Sequence, residues 1–177
     1  MDVPDYCYYE MFANCTSLTT SPELPATTLT DSCYWGMFSH CTSLVQAPSL
    51  PATTLADNCY HGMFYNCKSL TQSPELPATT LATLCYSNMF RLTSLTYAPE
   101  LPATTLADSC YYAMFCECQS LTQAPELPAT TLADNCYYGM FDDCPLFSTV
   151  KMKASMNGVY NTSTHGAIGK TVEYVLW

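Results

Sequence analysis

The chain repeats one segment of about 26 residues, and this repetition constrains its fold more than any other feature. Each copy begins with a Cys-Tyr pair, and the cysteines of these pairs lie 26, 26, 26, 25 and 26 residues apart, at Cys7, Cys33, Cys59, Cys85, Cys110 and Cys136. A period of this length is typical of solenoids, whereas a propeller blade needs about 40 residues. Because one unit cannot bury its apolar side chains alone, we expect the units to stack and share one core.

Each unit carries two local patterns, which the third unit illustrates. Residues 54–57 have the T-x-x-D pattern of a capping-box variant, and Leu55, Cys59 and Met63 follow at helical spacing. This part predicts a short helix or 3₁₀ segment. The stretch SLTQSP at 69–74 predicts a short strand that ends at its proline, because proline cannot donate to a ladder. The two patterns place short parallel strands on one face of a solenoid and short helical segments on the other.

The repeats end near residue 150, which divides the chain into two parts. Residues 1–150 are predicted to form a solenoid of about six units. In 151–177, the pair Asn157-Gly158 indicates a hairpin, and KTVEYVLW alternates as a strand does. We therefore expect a β-rich C-terminal cap that covers the last apolar unit, with the start of a following domain as the alternative.

Charge excludes several classes of partner. The net charge is −10, and the first 150 residues hold fourteen acidic side chains against only Lys68 and Arg91. An acidic body repels phosphate groups, so neither nucleic acid nor an anionic lipid surface is expected to bind. No run of about eighteen apolar residues occurs, so we predict no membrane insertion. The start, MDVPDYCYYEMF, has no basic region and no apolar stretch, so no signal sequence is predicted within this chain.

The twelve cysteines have three possible interpretations: two columns of buried free thiols, a set of disulfides, or a metal site. The fourth repeat favours the thiols. It reads CYSNMFRLTSL and lacks the second cysteine, so Cys85 would have no partner if each repeat closed its own bridge. No C-x-x-C pair occurs, and His40, His61 and His165 are far apart in sequence, whereas zinc sites need paired ligands. We expect no metal and no cofactor.

Catalytic signatures are missing from the sequence. It contains no G-x-S-x-G, H-E-x-x-H or phosphate-binding loop, and the cysteines have no nearby base that would activate them. A glutamate recurs at the same position of four units, and Ser49 breaks the row in the second. A repeated row of carboxylates indicates an acidic stripe instead of one acid–base pair. We therefore predict that the protein is not an enzyme.

Binding is expected where exposed rows differ between copies. The strand-side row varies, and with the recurring glutamates it gives the predicted ligand-binding residues Gln46, Gln72, Tyr97, Gln123, Glu75, Glu100 and Glu126. A competing aromatic row follows the Cys-Tyr pairs, at Tyr9, Trp35, His61, Ser87, Tyr112 and Tyr138. That row is either packed along the edge of the units or a strip that grips a protein or a glycan.

The stretch MFYNCKSLTQSPELP and its copies resemble the A-F-x-x-C-x-S-L-x-x-I-x-L-P motif of the BspA-like leucine-rich-repeat family. Met63-Phe64 matches Ala-Phe, Cys67, Ser69 and Leu70 follow in register, and Leu76-Pro77 closes the motif. The chain departs from the motif by about three extra residues per unit and by a proline in the strand.

This resemblance implies a right-handed leucine-rich-repeat solenoid. It also implies a surface-exposed bacterial protein, outside the cell or on its surface, of the kind that acts in adhesion or host interaction. We therefore expect a non-enzymatic binding or adhesion module that recognises a protein, such as one of the host matrix, or a glycan through the solenoid face. The alternative is a structural or self-assembling repeat array, such as part of an appendage or fibre, whose copies self-associate.

Overall fold

The computed structural model describes residues 4–154 and 170–174 of the 177-residue chain. Within these ranges the regular elements are two strands, β1 (Thr149–Met152) and β2 (Thr171–Tyr174), which pair in parallel. The strand predicted from KTVEYVLW is confirmed over the four residues of β2. The predicted hairpin at Asn157-Gly158 lies outside the described residues.

Neighbouring units are joined by single parallel bridges in place of continuous strands. These bridges connect residues of successive units, at Thr20–Gln46, Thr28–Thr54, Thr80–Thr105 and Leu127–Met152. The stretch 69–74, predicted to be a strand, contains no strand residue. The recurring prolines account for this, because each removes an amide donor from the row that a ladder would need.

The part of each unit predicted to be helical is a series of turns. We call it the turn ribbon, and it spans residues 6–14, 32–40, 58–66, 84–92, 109–117 and 135–143. In the third unit Asn58, Gly62 and Asn66 have φ angles of 57°, 57° and 59°. A residue in the left-handed region at every fourth position stops an α-helix from propagating. The described residues accordingly contain neither α-helix nor 3₁₀-helix, and the helical prediction differs from the structure.

Amides of the turn ribbon alternate between local and inter-unit hydrogen bonds. The Met63 amide donates to the Tyr60 carbonyl at 3.2 Å, and the next amide, of Phe64, donates to the Met89 carbonyl of the following unit at 3.0 Å. The same alternation recurs in the units before and after. This alternation gives the buried backbone amides hydrogen-bond partners and links each unit to the next. The turn ribbon therefore occupies the place in each unit that was predicted to be helical.

The interior consists of columns of identical side chains. Five Phe pairs of successive units stack with ring centroids 5.5–5.7 Å apart, and five Tyr pairs stack at 5.4–5.8 Å. Methionine and cysteine columns lie in the same core, and Met63 and Cys59 are wholly buried. The units are therefore stacked in register, as the repeat predicts. The right-handed leucine-rich-repeat solenoid itself stays a prediction.

All twelve cysteines are free thiols, and nine of them are buried. Four thiols of the second column bond to the preceding unit: for example, Cys67 Sγ donates to the Phe38 carbonyl at 3.1 Å. These contacts agree with the thiol-column interpretation. Cys15 is exposed, and Cys7 and Cys116 are half-buried.

Thr93 takes the place of the missing thiol in the short fourth unit. Its side chain is 4% exposed, and its hydroxyl donates to the Phe90 carbonyl at 2.7 Å and lies 3.4 Å from Cys118 Sγ. Ser94 then bonds to the Lys68 carbonyl of the previous unit, as Ser69 bonds to its own predecessor. The residue deleted in this unit is therefore one at the surface position of Lys68, and the interior column stays filled.

The C-terminal residues continue the contacts between units. The Leu127 amide donates to the Lys151 carbonyl, and the Lys153 amide donates to the Leu127 carbonyl, each at 3.0 Å. This pairing places β1 beside the fifth unit, and β2 lies on the other side of β1. That arrangement is β-rich, while its role as a cap, or as the start of a further domain, stays a prediction.

Candidate recognition surface

All seven predicted ligand-binding residues are exposed. We call the surface that they form the Gln/Glu face; it comprises Gln46, Gln72, Tyr97, Gln123, Glu75, Glu100 and Glu126. Tyr97 is 63% exposed, and no aromatic side chain among the described residues stacks on it. The leucines that flank this row, such as Leu70 and Leu76, are buried and fix its backbone. Stacked units thus hold an exposed polar row over an apolar interior.

A cleft lies at the C-terminal end of this face. This cleft 1 has a volume of about 670 Å³ and is bounded by units four and five and by the two strands. It brings together the predicted residues Glu100, Gln123 and Glu126 and adds Lys151 and Glu173, which the sequence did not predict. Prolines and Phe147 supply its apolar lining.

Two smaller clefts lie farther along the same face. Cleft 2, of about 470 Å³, is lined by Glu23 and Gln46 among others, and a third, of about 450 Å³, by Gln46 and Gln72. Tyr97 and Glu75 do not line any of these clefts. The structure therefore distributes five of the seven predicted residues over separate clefts along the face.

Electrostatics differ along the Gln/Glu face. In cleft 1 the Lys151 ammonium lies 3.6 Å from a carboxylate oxygen of Glu126, and both side chains are about half exposed. A pair this exposed contributes little to stability. Within the described residues no cation pairs with Glu100 or Glu173, so cleft 1 keeps an excess of negative charge.

The competing aromatic row packs largely against itself. Trp35 and His61 lie 4.2 Å apart between ring centroids, and Tyr112 stacks on Tyr138 at 5.4 Å. Ser87 is wholly buried and interrupts the row. Burial lowers the pKa of His61, whose Nδ1 is buried without a hydrogen-bond partner among the described residues. These contacts favour the packing interpretation of the row.

Sequence reasoning missed a polar edge at the end of the turn ribbon. Arg91 forms an ion pair with Glu117 at 2.6 Å and lies over the ring of Tyr65, 5.9 Å from its centroid. Between the second and third units, Asn66 and His40 are hydrogen-bonded at 2.8 Å. Variation at these positions between copies was the signal that could have revealed this edge.

Burial disfavours reactivity at the nine buried cysteines. Burial raises the pKa of Cys67 and of Cys110 to about 12, which disfavours the nucleophilic thiolate. Cys116 is half-buried, and burial raises its pKa although Arg91 opposes the shift. Among the described residues no three or more metal-ligating side chains come together, and no helix is long and apolar enough to cross a membrane.

Comparison with protein-family models, with characterised proteins and with solved structures found no match to the chain. The function proposed below is therefore argued from the surface itself.

Proposed function

We propose that the protein is a non-enzymatic recognition or adhesion module that binds a protein or a glycan through the Gln/Glu face. One observation carries the proposal: the seven predicted residues, four from a row that varies between copies and three recurring glutamates, are all exposed, and five of them line clefts along one face over a repetitive core. Stacked repeats commonly present such extended surfaces for recognition. The suppressed cysteine chemistry supports a function without catalysis.

The resemblance to BspA-like leucine-rich repeats extends this proposal. On that basis the stack is a right-handed solenoid, the protein acts at the bacterial cell surface or outside the cell, and its partner belongs to a host matrix or to a glycan coat. The acidic surface supports a neutral or basic ligand, because like charges repel.

Alanine substitution on two faces tests the proposed surface. Once a partner is found on an array of immobilised matrix proteins and glycans, we expect Tyr97→Ala with Gln123→Ala to weaken binding about tenfold or more, since central aromatic contacts cost over ~1 kcal/mol when removed. The matched pair Trp35→Ala with Tyr112→Ala should leave the dissociation constant unchanged. Surface plasmon resonance measures both. The opposite pattern would move the site to the aromatic row.

A second candidate, the self-assembling array, has one observation in its favour. Tyr8 and Met11 of the first unit are 36% and 56% exposed, whereas their counterparts Tyr34 and Met37 are 3% and 1% exposed. The carbonyl of Cys7 likewise has no partner among the described residues, while that of Cys33 accepts from Tyr8. Concentration-dependent sedimentation, with no effect from either alanine pair, would favour the array.

A further inference from the structure

We infer that cleft 1 binds a basic side chain, of arginine or lysine, carried by an extended segment of a partner protein. The inference rests on the proposed function, because cleft 1 belongs to the Gln/Glu face, and it adds the chemical class of the ligand. The volume of about 670 Å³ lies within the range of cavities that hold small ligands, so it accommodates a long side chain and its neighbours.

The lining of cleft 1 suits the two parts of such a side chain. Phe147, Pro99, Pro125 and Ala124 provide apolar surface for an aliphatic stem. Carboxylates of three glutamates stand at the same cleft for the charged head. A guanidinium or ammonium group that meets carboxylates forms charge-assisted hydrogen bonds, which are stronger than neutral ones.

The balance of charge in cleft 1 favours a ligand group with a positive charge. The carboxylates are those of Glu100, Glu126 and Glu173, and the only cation in the lining is Lys151. Because Lys151 lies 3.6 Å from Glu126, it compensates that carboxylate and leaves the other two for a ligand. An anionic partner would be repelled, and a neutral one would leave the two carboxylates unpaired.

Cleft 2 shows what distinguishes this site from the rest of the face. It is built from the same columns of the repeat, but its only charged lining residue is Glu23, and Ser49 occupies the position that Glu126 has in cleft 1. The additional net negative charge of cleft 1 therefore comes from Glu126, because Lys151 and Glu173, which the two strands contribute, cancel in charge. Affinity for a cation should therefore concentrate at the C-terminal end of the face.

A pair of peptides tests the inference directly. The probe is acetyl-Gly-Pro-Arg-Pro-Gly-amide, and its control carries citrulline, which keeps the shape of arginine without the charge. We expect the arginine peptide to bind to the whole chain at low salt, the citrulline peptide to bind at least about tenfold more weakly, and added salt to weaken the arginine complex. Isothermal titration calorimetry measures these affinities. Equal binding of the two peptides would overturn the inference.

Variants locate the binding within the face. We expect Glu100→Gln and Glu173→Gln each to weaken binding of the arginine peptide about tenfold. Glu23→Gln is the matched control, since Glu23 occupies the column of Glu100 in the first unit, is not one of the seven residues of the Gln/Glu face and lies outside cleft 1. Lys151→Gln should tighten binding, because it releases the carboxylate of Glu126. Equal losses in Glu23→Gln and Glu100→Gln would assign the effect to the overall field and contradict a site in cleft 1.

The outcomes separate this inference from the function on which it rests. If the arginine peptide fails to bind while Tyr97→Ala with Gln123→Ala weakens binding of the whole partner, the recognition face stands and the cationic site is wrong. If the peptide binds to cleft 1 while those substitutions leave the partner unaffected, the cationic site stands and the proposed recognition of the partner through Tyr97 and Gln123 is wrong. Displacement of the peptide by a neutral glycan would also contradict the assignment of a basic ligand to cleft 1.

Discussion

We expect the protein to unfold as the pH is raised from about 9 to about 11, because its core contains thiols that must stay protonated. Burial raises the pKa of Cys118 to about 11 and that of Cys67 and Cys110 to about 12, compared with the ordinary 9.0. In this interval the unfolded chain loses these protons while the folded one keeps them. The folded state therefore binds more protons, and the free energy of unfolding falls as the pH rises.

The size of this effect follows from the number of thiols involved. One unit of pKa difference corresponds to about 1.4 kcal/mol, so several buried thiols together can exceed the 5–15 kcal/mol by which domains are usually stable. Circular dichroism and intrinsic fluorescence, recorded from pH 7 to 12 with reductant present, measure the transition. Return to neutral pH should restore the signal. A native spectrum at pH 11 would contradict the burial of the thiols.

We expect truncation of one buried side chain to destabilise the protein, whereas removal of a whole unit should preserve the fold. Met63 is wholly buried, so Met63→Ala leaves a cavity and should cost about 2–5 kcal/mol of unfolding free energy. Deletion of residues 59–84 instead joins Asn58 to Cys85 and recreates the register of the repeat. Because each unit contacts mainly its neighbours, the shortened chain should still unfold cooperatively.

Urea denaturation followed by fluorescence measures both changes. The control is Gln72→Ala in the same unit, where an exposed side chain is lost and the unfolding free energy should stay within about 0.5 kcal/mol. If the deletion unfolds the chain and Met63→Ala has no effect, the claim that the units are interchangeable and stacked is wrong.

The interior could be predicted from the sequence, but the backbone that carries it could not. Cys59 and Met63 were assigned to one apolar stripe, and both are buried. The helical spacing was misleading, because a left-handed residue at every fourth position also returns a side chain to the core every four residues. Asn58, Gly62 and Asn66 tolerate that conformation, so the third unit carried a local signal. Other units use residues such as Glu10 there, which give no such signal.

The shortened fourth unit shows another limit of sequence reasoning. When the fourth unit is aligned with the other units, it lacks one cysteine, and its sequence does not show which position is deleted. The structure places Thr93 in the thiol column, because a hydroxyl there can bond to the Phe90 carbonyl within the core. The gap then falls at the surface, where the loss of one residue leaves no cavity.

The candidate site was predicted in part. Exposed polar residues that vary between copies, such as Tyr97 and Gln123, could be recognised because the repeated residues around them are nearly the same in each unit. Lys151 and Glu173 could not, because their position depends on the pairing of Leu127 with Met152 and of β1 with β2. Such contacts between distant parts of the chain leave no local pattern.

The stacking of the units is the central claim, since it buries the cysteines and at the same time leaves the Gln/Glu face open. Alkylation of the thiols, located by mass spectrometry, tests it most directly. In the native protein without reductant we expect iodoacetamide to label Cys15 first, Cys7 and Cys116 slowly and the nine buried cysteines not at all. After denaturation, still without reductant, all twelve should be labelled. Rapid native labelling of Cys67 or Cys110, or disulfides that block labelling after denaturation, would contradict the account.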